Sequence, residues 1–95
     1  MKFTDNDYKI LKAIIDRNDS MKGLSRIKGT SIKEIMTKTG LSYKKVRDTI
    51  RMFMLVGFVD EATMVVRAKT YILTEKGFAE LSSLRLNIFG KVDKQ

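Results

Sequence analysis

The sequence predicts an α+β domain, mainly α: a three-helix bundle, then a two-stranded β hairpin, then a C-terminal helix. Three observations predict it. Apolar residues recur at helical spacing in three separate segments before residue 57. Ser31-Ile32-Lys33-Glu34 is a capping box, and Gly40 and Gly57 stand where the helices on either side of them would stop. From Phe58 the period becomes that of strands, and a helical stripe returns after Thr74. The whole chain, residues 1–95, reads as a single domain.

The first helix begins at Thr4, whose hydroxyl can cap free amides while Asp5 and Asp7 suit the positive end of the helix dipole. Tyr8, Leu11, Ile14 and Ile15 form its stripe, widened by Ile10, and it fades around Asn18-Asp19-Ser20. Met21 to Thr30 reads as a loop with room for a short strand near Thr30. Ile32, Ile35 and Met36 are the buried side of the second helix, which Gly40 ends; Leu41 plugs the core. Ser42 caps a third helix with Val46, Ile50, Phe53 and Met54 inward, spaced i, i+4, i+7, i+8. Strands are expected over 58–66 and 70–73, with Arg67-Ala68-Lys69 as a basic turn between them. The last helix, 75–88, turns Phe78, Leu81 and Leu84 to one side, with Tyr71 and Phe78 in the core. Lys91 to Gln95 reads as a frayed tail.

Composition removes whole classes of function. There is no Cys and no His, so disulfides, thiolate metal sites and the commonest general base are missing. The eleven acidic residues are scattered among caps and helix faces, so no enzyme, metal site or cofactor is expected. No stretch approaches the roughly 20 apolar residues of a membrane helix, and no secretory signal opens the chain, so a cytoplasmic, nucleoid-associated protein is expected. The net charge of +8 is unevenly placed. Residues 20–51 hold nine Lys and Arg (Lys22, Arg26, Lys28, Lys33, Lys38, Lys44, Lys45, Arg47, Arg51) against two acids, Glu34 and Asp48. Local positive excess is what a polyanion-binding face requires, because a cation on each phosphate releases condensed counterions.

Two short helices joined through Lys38-Thr39-Gly40-Leu41-Ser42 make a helix-turn-helix over 31–56. The reversal needs Gly40 for a positive φ, and Leu41 to hold the helices at their crossing angle. In such a motif the second helix reads the major groove with its N-terminal residues. Ser42, Tyr43, Lys44 and Arg47 occupy that end. Arg47 can grip a guanine edge with two hydrogen bonds; Ser42 and Lys44 can reach a base or a phosphate, and Tyr43 a thymine methyl or a phosphate. Lys45 and Arg51 are candidate phosphate contacts, while Lys33 and Lys38 read as plain surface. Lys22, Arg26 and Lys28 form a basic loop that could track a phosphate strand.

Residues 31–59 resemble the helix-turn-helix of bacterial and archaeal winged-helix regulators, with Phe53-Met54-Leu55-Val56-Gly57-Phe58-Val59 filling the step into the wing. Residues 67–77 resemble the wing of the MarR group, D-x-R-x-x-x-x-x-L-T-x-x-G, through Arg67, Leu73, Thr74 and Gly77. Val65 takes the place of the pattern's Asp, so the salt bridge that shapes that wing is not expected here. The resemblance implies a wing over 58–73 and a role for Arg67, with Lys69 beside it, toward the minor groove. It also implies double-stranded DNA as partner. MarR proteins carry long extra helices around an effector pocket, for which this sequence has no room, so no small-molecule effector is expected.

The expected function is therefore that of a dimeric, sequence-specific transcriptional regulator, the dimer running through the C-terminal helix (Leu81, Leu84, Ile88, Phe89) because one recognition helix reads too few base pairs. A plasmid or phage DNA-partition or replication-control protein is the alternative. A winged-helix protein-interaction module is the reading from another class, and RNA binding a third, disfavoured by the lack of an aromatic pair for base stacking.

Overall fold

A computed structural model describes residues 3–83. The elements run α1 (Asp5–Ala13), β1 (Thr30–Ser31), α2 (Ile32–Thr39), α3 (Tyr43–Leu55), β2 (Val59–Glu61) and β3 (Thr70–Leu73). A further helix, α4, follows over 75–83. Beyond residue 83 the expected helix to 88 and the tail lie outside the described residues.

Each helix starts as its residues dictate. Thr4 and Ser31 each head a full capping box, with Asp7 and Glu34 returning to the cap amides. Ser42 accepts from the Lys45 amide at 3.2 Å. The Thr74 hydroxyl accepts from the Gly77 amide at 3.0 Å and heads α4. Gly40 closes α2 at φ 74°, in the left-handed region that a side chain makes costly. The core lies where these helices meet the sheet: Ile10, Leu11 and Ile14 pack with Ile35, with Val46, Ile50 and Phe53, and with Val59, Leu73 and Leu81. Phe3, Phe53 and Phe58 add an aromatic cluster, with centroids 5.8 to 6.2 Å apart. Leu41 packs against this core at its edge.

Four expectations change. The helix α1 ends at Ala13 instead of fading at residues 18–20. The Asp16 carboxylate accepts from the Asn18 amide at 2.8 Å, a local bond that competes with helix continuation, and Lys38 donates to the carbonyls of Ala13 and Ile15. The short strand allowed for near Thr30 forms at Thr30–Ser31 and joins β3 beside the expected two-stranded hairpin, so the sheet has three strands, ordered β1-β3-β2 and antiparallel throughout. The strand expected over 58–66 stops at Glu61. Past it the Thr63 amide turns to the Arg26 carbonyl at 2.8 Å instead of continuing the ladder, and the turn centres on Val66 and Arg67, not on Arg67-Ala68-Lys69.

The fourth change concerns α4. Phe78 is 47% exposed, whereas Leu81 is 3% exposed. A Cβ on Gly77 would strike the Phe58 carbonyl, so α4 lies against the backbone after α3 along its Gly77–Leu81 side. That contact turns Phe78, one residue or about 100° further round, toward solvent. Leu81 is accordingly a core residue and cannot serve as a dimer surface. Tyr71 is buried as expected. Leu84, Ile88 and Phe89 lie outside the described residues.

Candidate nucleic-acid interface

The outer surface of α3 carries its cations in two stripes. Tyr43, Arg47 and Arg51 stand at i, i+4 and i+8 and so share one side of the helix. Tyr43 is half-exposed, and the Arg47 guanidinium lies 5.6 Å from its ring centroid, a cation–π stack that orients both. Lys44 and Asp48 stand one turn apart on the adjacent side, their charged ends 3.0 Å from each other. Asp48 also accepts from Arg47, at 3.2 and 3.3 Å. The hydrogen bond from Lys44 is the largest influence on the Asp48 carboxyl; burial opposes it, and with the hydrogen bond from Arg47 the carboxyl is held below the usual aspartate range. One carboxylate thus clamps two of the expected contact residues.

The remaining cations divide sharply. Lys45 points toward α1, 3.9 Å from the buried Asp7 carboxylate, which ties the two helices together. Arg51 is exposed and has no ion-pair partner among the described residues. The Ser42 oxygen serves the helix cap, leaving its O–H free to donate. The basic loop expected to follow a phosphate strand is engaged internally: Lys22 with Glu34 at 2.9 Å, Arg26 with Asp60 at 2.9 Å, and Lys28 with Asp19 at 3.0 Å. Lys38, read as plain surface, caps the carbonyl end of α1. Of the nine cations in 20–51, Lys33 and Arg51 alone have no such partner among the described residues. Most of the local charge excess is therefore structural.

The hairpin stands beside the Tyr43–Arg47–Arg51 stripe. Tyr71, on β3, lies opposite Glu61 in the ladder and within electrostatic reach of both Tyr43 and Arg51. Burial pushes its hydroxyl pKa up; Glu61 and Tyr43 act in the same direction and Arg51 opposes them. Beyond this stem, Lys69 reaches Glu61 at 3.8 Å, while Arg67 is exposed and unpaired among the described residues. The structure therefore brings Tyr43, Arg47, Arg51 and the hairpin stem together, sets Lys44 beside them, and draws Lys45 away. Among the described residues no three His, Cys, Asp or Glu side chains group as a metal site would require, and no helix is long and apolar enough to cross a membrane.

No protein-family model matches the sequence, and no curated protein matches it. Solved structures do match. The chain superposes on BpsR of Bordetella bronchiseptica, whose DNA binding is regulated by 6-hydroxynicotinic acid, with a TM-score of 0.69 and 18% identity over 95% of this chain and 56% of that one. It superposes on the DNA-binding TubR fragment of Clostridium botulinum with a TM-score of 0.67 and 25% identity, covering 88% of this chain and 99% of the fragment. TubR bound to 24 bp of tubC, from Bacillus thuringiensis, matches with a TM-score of 0.67 and 25% identity over 87% of this chain and 83% of that one. The fold is a winged helix-turn-helix. The chain spans little more than half the length of BpsR but nearly all of the TubR fragment.

Within that fold α2 and α3 stand where the two helices of the helix-turn-helix do, and the β2–β3 hairpin stands where the wing does. Sequence reasoning missed two features of the site. The Lys44 arm of the Asp48 clamp had a legible signal, its i, i+4 spacing, while the pairing of Arg47 with Asp48 is one that the sequence itself offers. The internal pairing of Lys22, Arg26 and Lys28 had none, because their partners lie 9 to 34 residues away in the chain.

Proposed function

We propose that this winged helix binds double-stranded DNA, with the N-terminal half of α3 in the major groove and the wing on the backbone or minor groove beside it. One observation carries the reading: Tyr43, Arg47 and Arg51 share one outward side of α3, within electrostatic reach of Tyr71 on the hairpin stem. Arg47 sits where an N-terminal recognition-helix residue meets a base edge, stacked on Tyr43 in a fixed orientation. Ser42, Lys44 and Arg51 supply phosphate contacts. Lys45 contributes only by giving up its long contact with Asp7, and Arg67 and Lys69 serve from the wing. TubR, seen bound to tubC, lends support through a likeness that spans most of both chains.

Two roles fit such a protein: a transcriptional regulator, as PcaV of Streptomyces coelicolor suggests, which we expect to be dimeric and sequence-specific, and a plasmid-segregation DNA binder, as TubR suggests. The chain covers 56 to 60% of BpsR and PcaV and 75 to 99% of the TubR chains. The deciding experiment is selection from random-sequence duplex DNA at two salt concentrations. Enrichment of inverted half-sites supports a dimeric sequence-specific binder, and the spacing measures the distance between recognition helices. Salt-sensitive binding without enrichment reduces the protein to a general DNA coater. No binding at either salt refutes the DNA reading and leaves a protein-interaction module. On the enriched site, Arg47→Ala should cost about 1–3 kcal/mol and relax preference at one base pair; equal weakening on every sequence would make Arg47 a phosphate contact.

A further inference from the structure

The end of the wing is built unlike its stem. The stem is anchored: the Ala62 amide donates to the Thr70 carbonyl at 2.8 Å, the Thr63 amide to the Arg26 carbonyl at 2.8 Å, and the Thr70 hydroxyl to the Thr63 carbonyl at 2.7 Å. Beyond that anchor Val65 and Ala68 exchange two backbone hydrogen bonds, at 3.0 and 2.9 Å, and enclose a two-residue turn. Both turn residues have positive φ, 48° at Val66 and 65° at Arg67. Such a turn ordinarily takes Asn or Gly, and a β-branched residue is the least suited to it. Nothing inside the fold rewards the choice: Val66 is 92% exposed, Met64 55% and Val65 50%. Three apolar side chains therefore stand in water at the tip of the hairpin, and the two exposed cations Arg67 and Lys69 follow immediately.

We infer that the wing tip is an apolar wedge for the minor groove of a DNA duplex. Met64 and Val66 press against a base step and partly unstack it, Arg67 enters the groove beside them, and Lys69 holds a flanking phosphate. This rests on the DNA reading above and adds deformation of the duplex to it. The argument for DNA as the occupant is charge: a self-association or protein patch has no need of an unpaired arginine and a lysine beside its apolar centre, whereas a wedge that opens a stack must also hold the polyanion it bends. Flexible pyrimidine–purine steps are where such a wedge costs least.

The test uses the full chain and a duplex of alternating T·A steps carrying 2-aminopurine, with fluorescent dyes at its two ends. Anisotropy first establishes binding; if the wild-type chain does not bind at low salt, the DNA reading itself falls before any bend is measured. On the bound duplex, wild type should raise 2-aminopurine fluorescence several-fold and shorten the distance between the dyes. Val66→Asn keeps the left-handed turn, since Asn tolerates that conformation, and removes the apolar group. It should bind with an unchanged salt slope and lose the fluorescence rise and the bend. Met64→Ser should reduce both. Binding by wild type without a fluorescence rise overturns the wedge while leaving DNA binding intact, and so does a rise that survives Val66→Asn. Sedimentation of the same proteins without DNA covers the remaining occupant: a wild-type dimer that Val66→Asn converts to monomer assigns the tip to a second copy and overturns the wedge.

Discussion

Asp48 is the residue on which the charge of α3 turns. Its carboxylate holds Lys44 and Arg47 at once, and in the proposed DNA complex both release it, Lys44 for a phosphate and Arg47 for a base. The pairs are exposed, so each contributes little to folding. Asp48→Asn should leave thermal stability nearly unchanged and strengthen binding to random-sequence duplex. If the freed Lys44 then engages a phosphate that wild type leaves unpaired, the slope of log K against log salt should steepen by roughly 0.9. An unaltered slope would mean that the pairs dissolve in the complex without cost. A second residue-scale contrast lies on α4. Leu81→Ala should cost about 2–5 kcal/mol in urea unfolding, whereas Phe78→Ser should stay within about 0.5 kcal/mol. A large loss from Phe78→Ser would place its ring in a packed contact that the monomer does not show.

At the scale of elements, the loop between α1 and α2 behaves as a strap. It crosses the start of α2 through Lys22, reaches the wing stem through Arg26, and closes on itself through Lys28. Glu34 is the hub, accepting from the Ser31 amide at 3.1 Å and pairing with Lys22 at 2.9 Å. Burial works to raise the Glu34 pKa, but Lys22 and the Ser31 amide outweigh it and leave the pKa below the ordinary glutamate value. A carboxyl lowered in the folded state contributes stability that is complete above the ordinary glutamate range and is lost as the pH falls through the lowered value. Glu34→Gln keeps an acceptor for the Ser31 amide and removes the titration. Its stability should therefore fall less steeply than wild type's between neutral and strongly acidic pH, as followed by urea midpoints. Parallel profiles would show that another group controls acid lability; Asp19 and Asp60, similarly lowered by Lys28 and Arg26, are the nearest candidates.

For the whole molecule the open quantity is its assembly. A single recognition helix with one wing contacts too few base pairs for high specificity, which favours two copies on one site. The apolar residues available to join them are not those of the described core: Leu81 is occupied, whereas Phe78, Leu24 and Ile27 are exposed. The proposed dimer through Leu84, Ile88 and Phe89 makes a direct prediction. Ile88→Glu with Phe89→Glu should give a monomer by sedimentation equilibrium, with weaker binding to the selected duplex. A doubly substituted chain that remains a dimer moves the interface to the exposed Phe78 and Leu24 or elsewhere.

What the sequence determined alone was local, the helix starts and apolar stripes above all. The caps at Thr4 and Ser42, the capping box at Ser31, the left-handed Gly40 and the i, i+4, i+7 stripe of α3 each depend on residues within one or two turns, and all stand where the spacing puts them. The contact helix and its outward residues were legible for that reason. Tertiary structure decided what depended on distant partners. Lys22, Arg26, Lys28 and Lys38 read as free charge until the fold supplies Glu34, Asp60, Asp19 and the end of α1. Phe78 and Leu81 share one apolar pattern, and the close approach of Gly77 to the Phe58 backbone sends one outward and the other in. Ion pairing and burial depend on which surfaces meet, and spacing along the chain carries no record of that.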